Sequence, residues 1–260
     1  MSRTARPDGR TFDALRPVEM TLGFHRMAEG SVLYRAGSTV VLATASVDEK
    51  VPPWMEGKGK GWVTAEYQMH PRSNPKSREN RDGRGKAPSG RTQEIQRLIG
   101  RALRAAVDMK KLGERQISID CDILEADGGT RTASITAGFV ALCIALDKIT
   151  KAGKMKEPCL REPVAAVSVG FIEVDGSHDL ALDLVYLEDS RAEVDLNLVA
   201  TRSGAIIEVQ GTAEGAPVPR KDITRMMDMA LVGIEQLTQI QEKALAGAGV
   251  ELSSLLMRTS

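Results

Sequence analysis

The chain has 260 residues, of which 42% are hydrophobic and 3% aromatic, and its formal net charge is +0. This length builds one large domain or two smaller ones, and the hydrophobic content excludes a globally disordered chain. No apolar run reaches the ~18 residues of a membrane helix, and the basic, polar first ten residues are unlike a signal peptide, so we expect a cytosolic protein.

The first half of the chain predicts strands followed by a long loop. Residues 31–47 are rich in β-branched side chains and contain Gly37-Ser38, which indicates two strands joined by a turn. Residues 61–67 predict another strand. Residues 70–90 hold three prolines and three glycines without apolar periodicity, which indicates a loop. A loop of this length in a compact domain usually has a function.

Two helices and a strand are predicted in the middle of the chain. Residues 92–112 carry one apolar stripe and end at Gly113, as expected for an amphipathic helix. Residues 116–124 return to a strand. Residues 135–149 are apolar nearly all round, which is typical of a buried central helix.

The second half predicts two hairpins and a final helix. The four strands of the hairpins are residues 164–174 with 180–185 and residues 192–200 with 205–210. An amphipathic helix is expected over residues 219–245. Strand pairs and helices alternate in blocks and not as strict βαβ units, so the predicted class is α+β, with one domain over residues 1–260.

The cysteines and histidines do not indicate a disulfide framework or a metal site. Three cysteines without C-x-x-C spacing are expected to be reduced, buried thiols, and they are Cys121, Cys143 and Cys159. The three histidines stand far apart in the sequence and form no ligand pair.

The neutral net charge hides a basic segment. Residues 72–91 contain seven basic residues against two acidic ones, and the balancing acids concentrate in residues 173–195. A basic loop together with an acidic patch is typical of an enzyme that handles a polyanion together with a metal ion.

The sequence Asp127-Gly-Gly-Thr-Arg131 predicts an anion site before the buried helix. Its glycines permit close approach of the backbone, and the N-terminus of the helix offers N–H groups and a positive dipole end. Thr130 adds a hydroxyl, and Arg131 adds a guanidinium that fits phosphate oxygens. The same residues also fit a plain glycine-rich turn capped by Thr130. Arg91 also lies beside the start of a predicted helix, so it is a second candidate cation for the anion site. The alternative is that Arg91 is one more solvated arginine.

Acidic residues between positions 183 and 195 are candidate metal ligands. Asp183 and Asp189 flank a strand end, and such a pair can bind a hard cation such as Mg²⁺. Asp183 is notable because it interrupts an otherwise apolar strand. Asp195 alternates with apolar neighbours, so it either lines the same site or faces water. The alternative for the whole cluster is a solvated acidic turn.

Four stretches together resemble the ribonuclease PH family. They are Arg3-x-x-Arg-Pro-Asp-Gly-Arg10, Ser89-Gly-Arg-x-Gln-Glu-Ile-x-Arg-Leu-Ile-Gly-Arg101, Asp127-Gly-Gly-Thr-Arg-Thr-Ala-Ser134, and Leu182-Asp-Leu-x-Tyr-x-Glu-Asp-Ser190 leading to Glu208-Val-Gln-Gly-Thr-Ala-Glu214. Each stretch is weak evidence alone, but four in this order are specific and cover nearly the whole chain.

The resemblance implies a fold, an activity and an assembly. The fold would be that of the second domain of ribosomal protein S5, with mixed sheets packed with helices. The activity would be phosphorolysis of RNA from the 3′ end, including tRNA precursors, with inorganic phosphate as co-substrate and nucleoside diphosphates as products. The assembly would be a homo-hexameric ring made as a trimer of dimers.

The resemblance also implies roles for individual residues. The phosphate site would consist of Arg91, Gly129, Thr130 and Arg131. The catalytic and metal-linked carboxylates would be Asp183 and Asp189, with Mg²⁺ as the expected metal. The basic loop would bind RNA through arginines, and the candidates are Arg72, Arg78, Arg81 and Arg84.

Two rival interpretations belong to other classes. One is a catalytically silent RNA-binding subunit of an exosome-like ring, which would usually lack the carboxylate pair or the phosphate arginines. The other is a hydrolytic nuclease, which would favour a denser acidic cluster without a phosphate pocket.

Overall fold

The structure is a computed structural model that describes residues 6–76, residue 78, residues 87–174 and residues 177–258. The part it describes contains two β-sheets, six α-helices and one short 3₁₀ helix, Pro53–Met55, which confirms the predicted α+β class.

The first sheet contains five strands in the order β1-β2-β3-β5-β4. These strands are β1 (Val18–Leu22), β2 (Gly30–Ala36), β3 (Thr39–Asp48), β4 (Trp62–Met69) and β5 (Gln116–Glu125). β4 runs parallel to β5, and the other pairs are antiparallel. The turn predicted at Gly37 joins β2 to β3, and its positive φ of 55° is one that glycine adopts readily.

The second sheet contains four antiparallel strands in the order β7-β6-β8-β9. They are β6 (Val164–Val174), β7 (Ser177–Leu182), β8 (Val194–Thr201) and β9 (Ile206–Ala213). Both predicted hairpins are therefore confirmed. The strand expected over residues 180–185 ends earlier, at Leu182, because Asp183 adopts a left-handed conformation with φ of 55° that ends the extended backbone.

The helices cover the sheets. They are α1 (Gly90–Ala106), α2 (Met109–Leu112), α3 (Thr130–Lys151), α4 (Tyr186–Asp189), α5 (Arg220–Gly247) and α6 (Leu252–Leu255). α1 packs on β4, and α5 packs on the second sheet through β6 and β8. The strand β1 and the short helices α4 and α6 were not predicted.

The central helix α3 packs against both sheets, through β2 and β3 on one side and β6 on the other. Contrary to the sequence-based expectation, it is long and apolar enough to cross a membrane, with 22 residues and a mean hydropathy of 1.5 in its most apolar window. However, 89% of that window is buried inside the protein, so α3 is the core helix that residues 135–149 predicted.

The helix predicted over residues 92–112 is interrupted. Val107 is extended and forms a β-bridge with Leu160, which ends α1. Asp108 then caps α2, because its carboxylate accepts hydrogen bonds from the backbone N–H groups of Lys110 and Lys111. The predicted apolar stripe of α1 is nevertheless buried, so the periodicity identified the correct face.

Buried side chains form one large cluster around α3 and a second between α5 and the second sheet. All three cysteines are buried and unpaired, as predicted. Burial raises the pKa of Cys159 to about 12, so that thiol stays protonated and unreactive.

Candidate active site

A cavity of about 580 Å³ lies where the N-termini of α1 and α3 meet the segment that follows β7. The four predicted phosphate-site residues, Arg91, Gly129, Thr130 and Arg131, all line it. The structure therefore brings together two parts of the chain that lie about 40 positions apart in the sequence.

The glycine pair before α3 places the helix N-terminus at the cavity. Gly128 and Gly129 both have positive φ, 78° and 63°. A Cβ atom on Gly128 would lie 2.6 Å from the carbonyl oxygen of Leu184. This turn therefore requires glycine for its backbone angles and, at Gly128, for close contact with the segment after β7.

The first turn of α3 is suited to bind an anion. Gly129 occupies the N-cap position, and no side chain caps the helix, so backbone N–H groups and the positive dipole end are directed to the cavity. The Thr130 hydroxyl lies 2.9 Å from the Tyr67 hydroxyl, which fixes its orientation. The alternative of a plain turn capped by the Thr130 side chain does not match this geometry.

The two candidate phosphate arginines have different surroundings. Arg131 donates a hydrogen bond from Nη1 to Oε1 of Gln210 at 2.8 Å, and Glu94 lies 3.6 Å away. Arg91 is exposed in the first turn of α1, where the Ser89 side chain caps the helix. Both arginines line the same cavity as Asp189, so these three charged groups surround one space.

Asp189 and Asp195 both line the cavity. Among the described residues, neither carboxylate has a hydrogen bond from a side chain. The pKa of Asp189 is raised from its ordinary value, first by desolvation of the carboxyl group in the concave site and then by the charge of Asp195, although Arg131 and Arg91 oppose the shift. Of the two expectations for Asp195, the structure favours the first, because this residue lines the same cavity as Asp189.

Asp183, in contrast, does not line this cavity. It is buried, and both of its carboxylate oxygens accept hydrogen bonds from Arg16, at 2.6 Å from Nη2 and 3.0 Å from Nε. Burial alone would raise the pKa of Asp183, but the charge of Arg16 and its hydrogen bonds outweigh burial and lower it. Of the two carboxylates expected to share a cation, Asp189 lines the cavity and Asp183 is bound to Arg16, so their common metal site stays a prediction.

Three arginines from the start of the chain hold the segment from Leu182 to Asp189, and we call them the arginine clamp: Arg6, Arg10 and Arg16. Arg6 is 2% exposed and binds both oxygens of Glu188, at 2.7 and 2.6 Å. Arg6 and Arg10 also donate to the carbonyl oxygen of Asp183. Arg16 reaches the glycine turn through the carbonyl oxygen of Asp127.

The arginine clamp was not predicted from the sequence. Arg6 and Arg10 lie in a stretch that carried the family resemblance, but nothing in the pattern assigned them partners about 180 residues away. Glu188 is 4% exposed although it lies in an acidic turn. Its burial could not be predicted, because a turn that mixes polar and apolar residues has no periodic pattern of hydrophobicity.

The predicted RNA-binding loop is only partly covered by the structure. Arg72 and Arg78 are exposed. Arg81 and Arg84 lie outside the described residues. Lys76 lines the cavity, and its Nζ lies 5.4 Å from the centre of the Tyr186 ring.

Comparison with known proteins identifies the family. Residues 14–146 match domain 1 of the 3′ exoribonuclease family, and residues 162–233 match domain 2. Ribonuclease PH of Bacillus velezensis is 51% identical over 247 residues, which cover 95% of this chain and 99% of the relative. Ribonuclease PH of Bacillus subtilis is 50% identical with the same two coverages.

Solved structures agree on the fold. The Archaeoglobus fulgidus exosome with RNA bound to the active site has a TM-score of 0.71 at 21% identity, with 90% of this chain and 92% of that chain covered. An archaeal exosome core has a TM-score of 0.68 at 21% identity, with coverages of 92% and 91%. With half of its residues shared along almost its full length, the chain belongs to the ribonuclease PH family of 3′ exoribonucleases.

Proposed function

We propose that the chain is a phosphate-dependent 3′-to-5′ exoribonuclease that trims tRNA precursors and other RNAs and releases nucleoside 5′-diphosphates. One observation carries this proposal: two arginines and a helix N-terminus line the same cavity as a pair of carboxylates. The first group suits a free phosphate ion, and the second suits the reacting end of an RNA chain.

The phosphate site lowers the main electrostatic barrier. Phosphorolysis joins an oxygen of inorganic phosphate to the phosphorus of the last phosphodiester, and the 3′ oxygen of the preceding nucleotide leaves. Two unit negative charges ~4 Å apart at an effective dielectric of ~20 repel by about 4 kcal/mol. Arg91, Arg131 and the N-terminus of α3 oppose this repulsion, which corresponds to roughly a thousandfold in rate.

The departing 3′ oxygen needs a proton, and Asp189 is the candidate donor. Its raised pKa favours the protonated form that a general acid requires. Its exposure to the cavity makes the carboxyl group accessible to RNA.

The carboxylate pair also fits Mg²⁺. No group of three or more His, Cys, Asp or Glu residues with metal-binding geometry occurs in the described part of the chain. Mg²⁺, however, commonly binds one or two carboxylates together with substrate phosphates and water. In their ionised forms Asp189 and Asp195 would hold the ion, which would then supply positive charge to the reacting phosphates, and in that case Asp189 would not be the proton donor.

We expect mutation of Asp183 to reduce activity, and we propose that Asp183 acts by positioning other residues of the site. The Arg16–Asp183 pair connects the glycine turn before α3 to the segment that carries Asp189. It thereby fixes the distance between the phosphate site and the carboxylates. The relative position of such groups strongly affects the rate of the reaction.

RNA would reach the site along the basic segment. Arg72, Arg78, Arg81 and Arg84 are proposed to contact the phosphate backbone, which provides affinity without sequence information. The archaeal neighbours are exosome structures, one of them with RNA bound. For this chain we propose a single domain over residues 1–260, a homo-hexamer built as a trimer of dimers, and a cytoplasmic location.

The decisive experiment is product analysis with and without phosphate. Purified protein is incubated with a 3′-labelled RNA, and the products are separated by thin-layer chromatography. We expect nucleoside diphosphates that appear only with phosphate. Monophosphates formed in phosphate-free buffer would indicate hydrolysis, and no products in either buffer would favour a silent ring subunit.

A further inference from the structure

Tyr186 is an exposed aromatic residue at the proposed active site. The chain has only nine aromatic residues, two Trp, three Tyr and four Phe. Tyr186 lines the cavity together with Asp189, and 49% of its surface is exposed. The Tyr186 ring is therefore accessible to a ligand that enters the cavity.

The cavity has one other aromatic lining residue among those described, Tyr67, and it has a different role. Tyr67 is 3% exposed and its hydroxyl pairs with Thr130. Its ring is buried in the first core cluster. Tyr186 is therefore the described aromatic residue that can offer a ring face to a ligand in this cavity.

The backbone of Tyr186 is fixed on both sides. Its N–H donates to Oδ1 of Asp127 at 3.2 Å, and Gly128 packs against residues 184–186. Two residues later, Glu188 is bound by Arg6 of the arginine clamp. The ring is thus attached to a rigid turn, which reduces the entropy lost when a ligand stacks on it.

The ring also has a cation beside it. Nζ of Lys76 lies 5.4 Å from the ring centre, within the distance of a cation–π contact. An aromatic ring next to a flexible cation is the combination by which proteins bind single-stranded nucleic acid, because the ring stacks on a base and the cation neutralises a phosphate.

We propose that Tyr186 is a stacking platform for the base of the 3′-terminal ribonucleotide, and that Lys76 neutralises the adjacent backbone phosphate. This inference rests on the proposed function, since it concerns the RNA end that is cleaved. Stacking is tolerant of base identity because every base has a π face. The pair would therefore let the enzyme accept any terminal nucleotide while still fixing its position.

The test is a binding measurement without phosphate, so that no turnover occurs. A short fluorescent RNA is compared with the same RNA whose last nucleotide lacks its base, using the wild type, Tyr186→Ala, Tyr186→Phe and Tyr186→Leu. We expect the wild type and Tyr186→Phe to bind the complete RNA about 5-fold to 150-fold more tightly than the abasic RNA. Tyr186→Ala and Tyr186→Leu should lose that difference.

Trp54 provides a matched control outside the cavity. It is 56% exposed and has a lysine, Lys58, 5.6 Å from its ring centre. Trp54→Ala should keep the full preference for the complete RNA. An equal loss in Trp54→Ala, a preference kept by Tyr186→Leu, or a loss in Tyr186→Phe would each overturn the stacking role.

If the stacking proposal alone is wrong, phosphate-dependent shortening of RNA persists, while substitution of Tyr186 leaves the binding preference unchanged. If the proposed function is wrong, the shortening itself is absent.

Discussion

Arg16 donates three hydrogen bonds to the carboxylate of Asp183, from its backbone N–H at 2.8 Å and from its guanidinium at 3.0 and 2.6 Å. The same guanidinium donates to the carbonyl oxygen of Asp127 at 2.8 Å. A single buried residue therefore connects the turn that forms the phosphate site to the segment that carries the carboxylates.

Asp183→Asn and Asp189→Asn are expected to differ in stability. Asp183→Asn leaves Arg16 buried without its ionic partner, and breaking a buried pair in this way costs about 3–5 kcal/mol. Asp189 is exposed and its pKa is raised, so its charge is unfavourable in the folded state and Asp189→Asn should be as stable as the wild type. Urea denaturation measures the free energy of unfolding of both variants. Equal stability of the two variants would contradict the role assigned to Asp183.

Activity should separate the same two variants in a second way. Asp189→Asn should lose at least a hundredfold in turnover while RNA binding persists, because only the acid and metal-binding functions are removed. Asp183→Asn should lose turnover together with phosphate binding, since the glycine turn loses its support. Near-normal rates in Asp189→Asn would show that the acidic turn is only solvated surface.

Acid should destabilise the wild type through Asp183. Because its pKa is lower in the folded state, the ionised carboxylate contributes stability above its unfolded pKa of about 3.9. That contribution is lost as the pH falls through the lower folded value. The free energy of unfolding of the wild type should therefore decrease more steeply below pH ~4 than that of Asp183→Asn. Parallel curves for the two proteins would show that the pKa of Asp183 is unchanged by folding.

Arg131→Ala should weaken phosphate binding. A hydrogen bond to a charged group contributes about 1.5–3 kcal/mol, so the KM for phosphate should rise roughly 10-fold to 150-fold. RNA binding without phosphate should change much less. Arg225→Ala is the matched control, because Arg225 is on α5 and its side chain is 60% exposed. A similar effect of both substitutions would remove Arg131 from the phosphate site.

Gly128→Ala should disrupt the glycine turn. The added Cβ would meet the carbonyl oxygen of Leu184 at 2.6 Å, and φ is 78°. We expect a loss of about 1–3 kcal/mol in stability and most of the activity. Gly215→Ala is the control, because a Cβ there has no atom within 4 Å. Thermal unfolding compares the two, and a normal Tm for Gly128→Ala would contradict the close packing.

The basic segment should control the salt dependence of RNA binding. Each phosphate neutralised on a single strand contributes about −0.7 to the slope of log affinity against log salt. Changing Arg78, Arg81 and Arg84 to Ala should flatten that slope by up to about 2, while a very short RNA is cleaved normally. Light scattering tests whether the assembly survives, since a collapsed oligomer would reassign the segment to subunit contacts. An unchanged slope would remove it from the RNA path.

Local sequence patterns predicted most of the fold. The stripe of α1 and the apolar run of α3 indicate burial directly, because one helix buries one face and the other is buried nearly all round. The glycine turn before α3 was also predictable, since two adjacent glycines before a helix favour an anion site. The shared cavity of Arg91 and Arg131 was implied only by the family resemblance.

The network around Asp183 was beyond local patterns. Asp183 stands out in the sequence because it interrupts an apolar run, but its partner Arg16 lies 167 residues away. The break at Val107 had a similar cause, because the bridge to Leu160 is a long-range contact that helix periodicity does not register. Contacts of this kind depend on the assembled fold.

The arginine clamp also has a consequence for the order of folding. Arg6 and Glu188 are separated by 182 residues, and both are buried in the final structure. During synthesis Arg6 leaves the ribosome long before its partner exists, so it cannot pair with Glu188 until α4 is made. The segment with Asp189 can then adopt its final shape only after the two ends of this long loop have met, a slow step because loop closure costs entropy. We therefore expect the site to be completed late in folding, after the first sheet has formed.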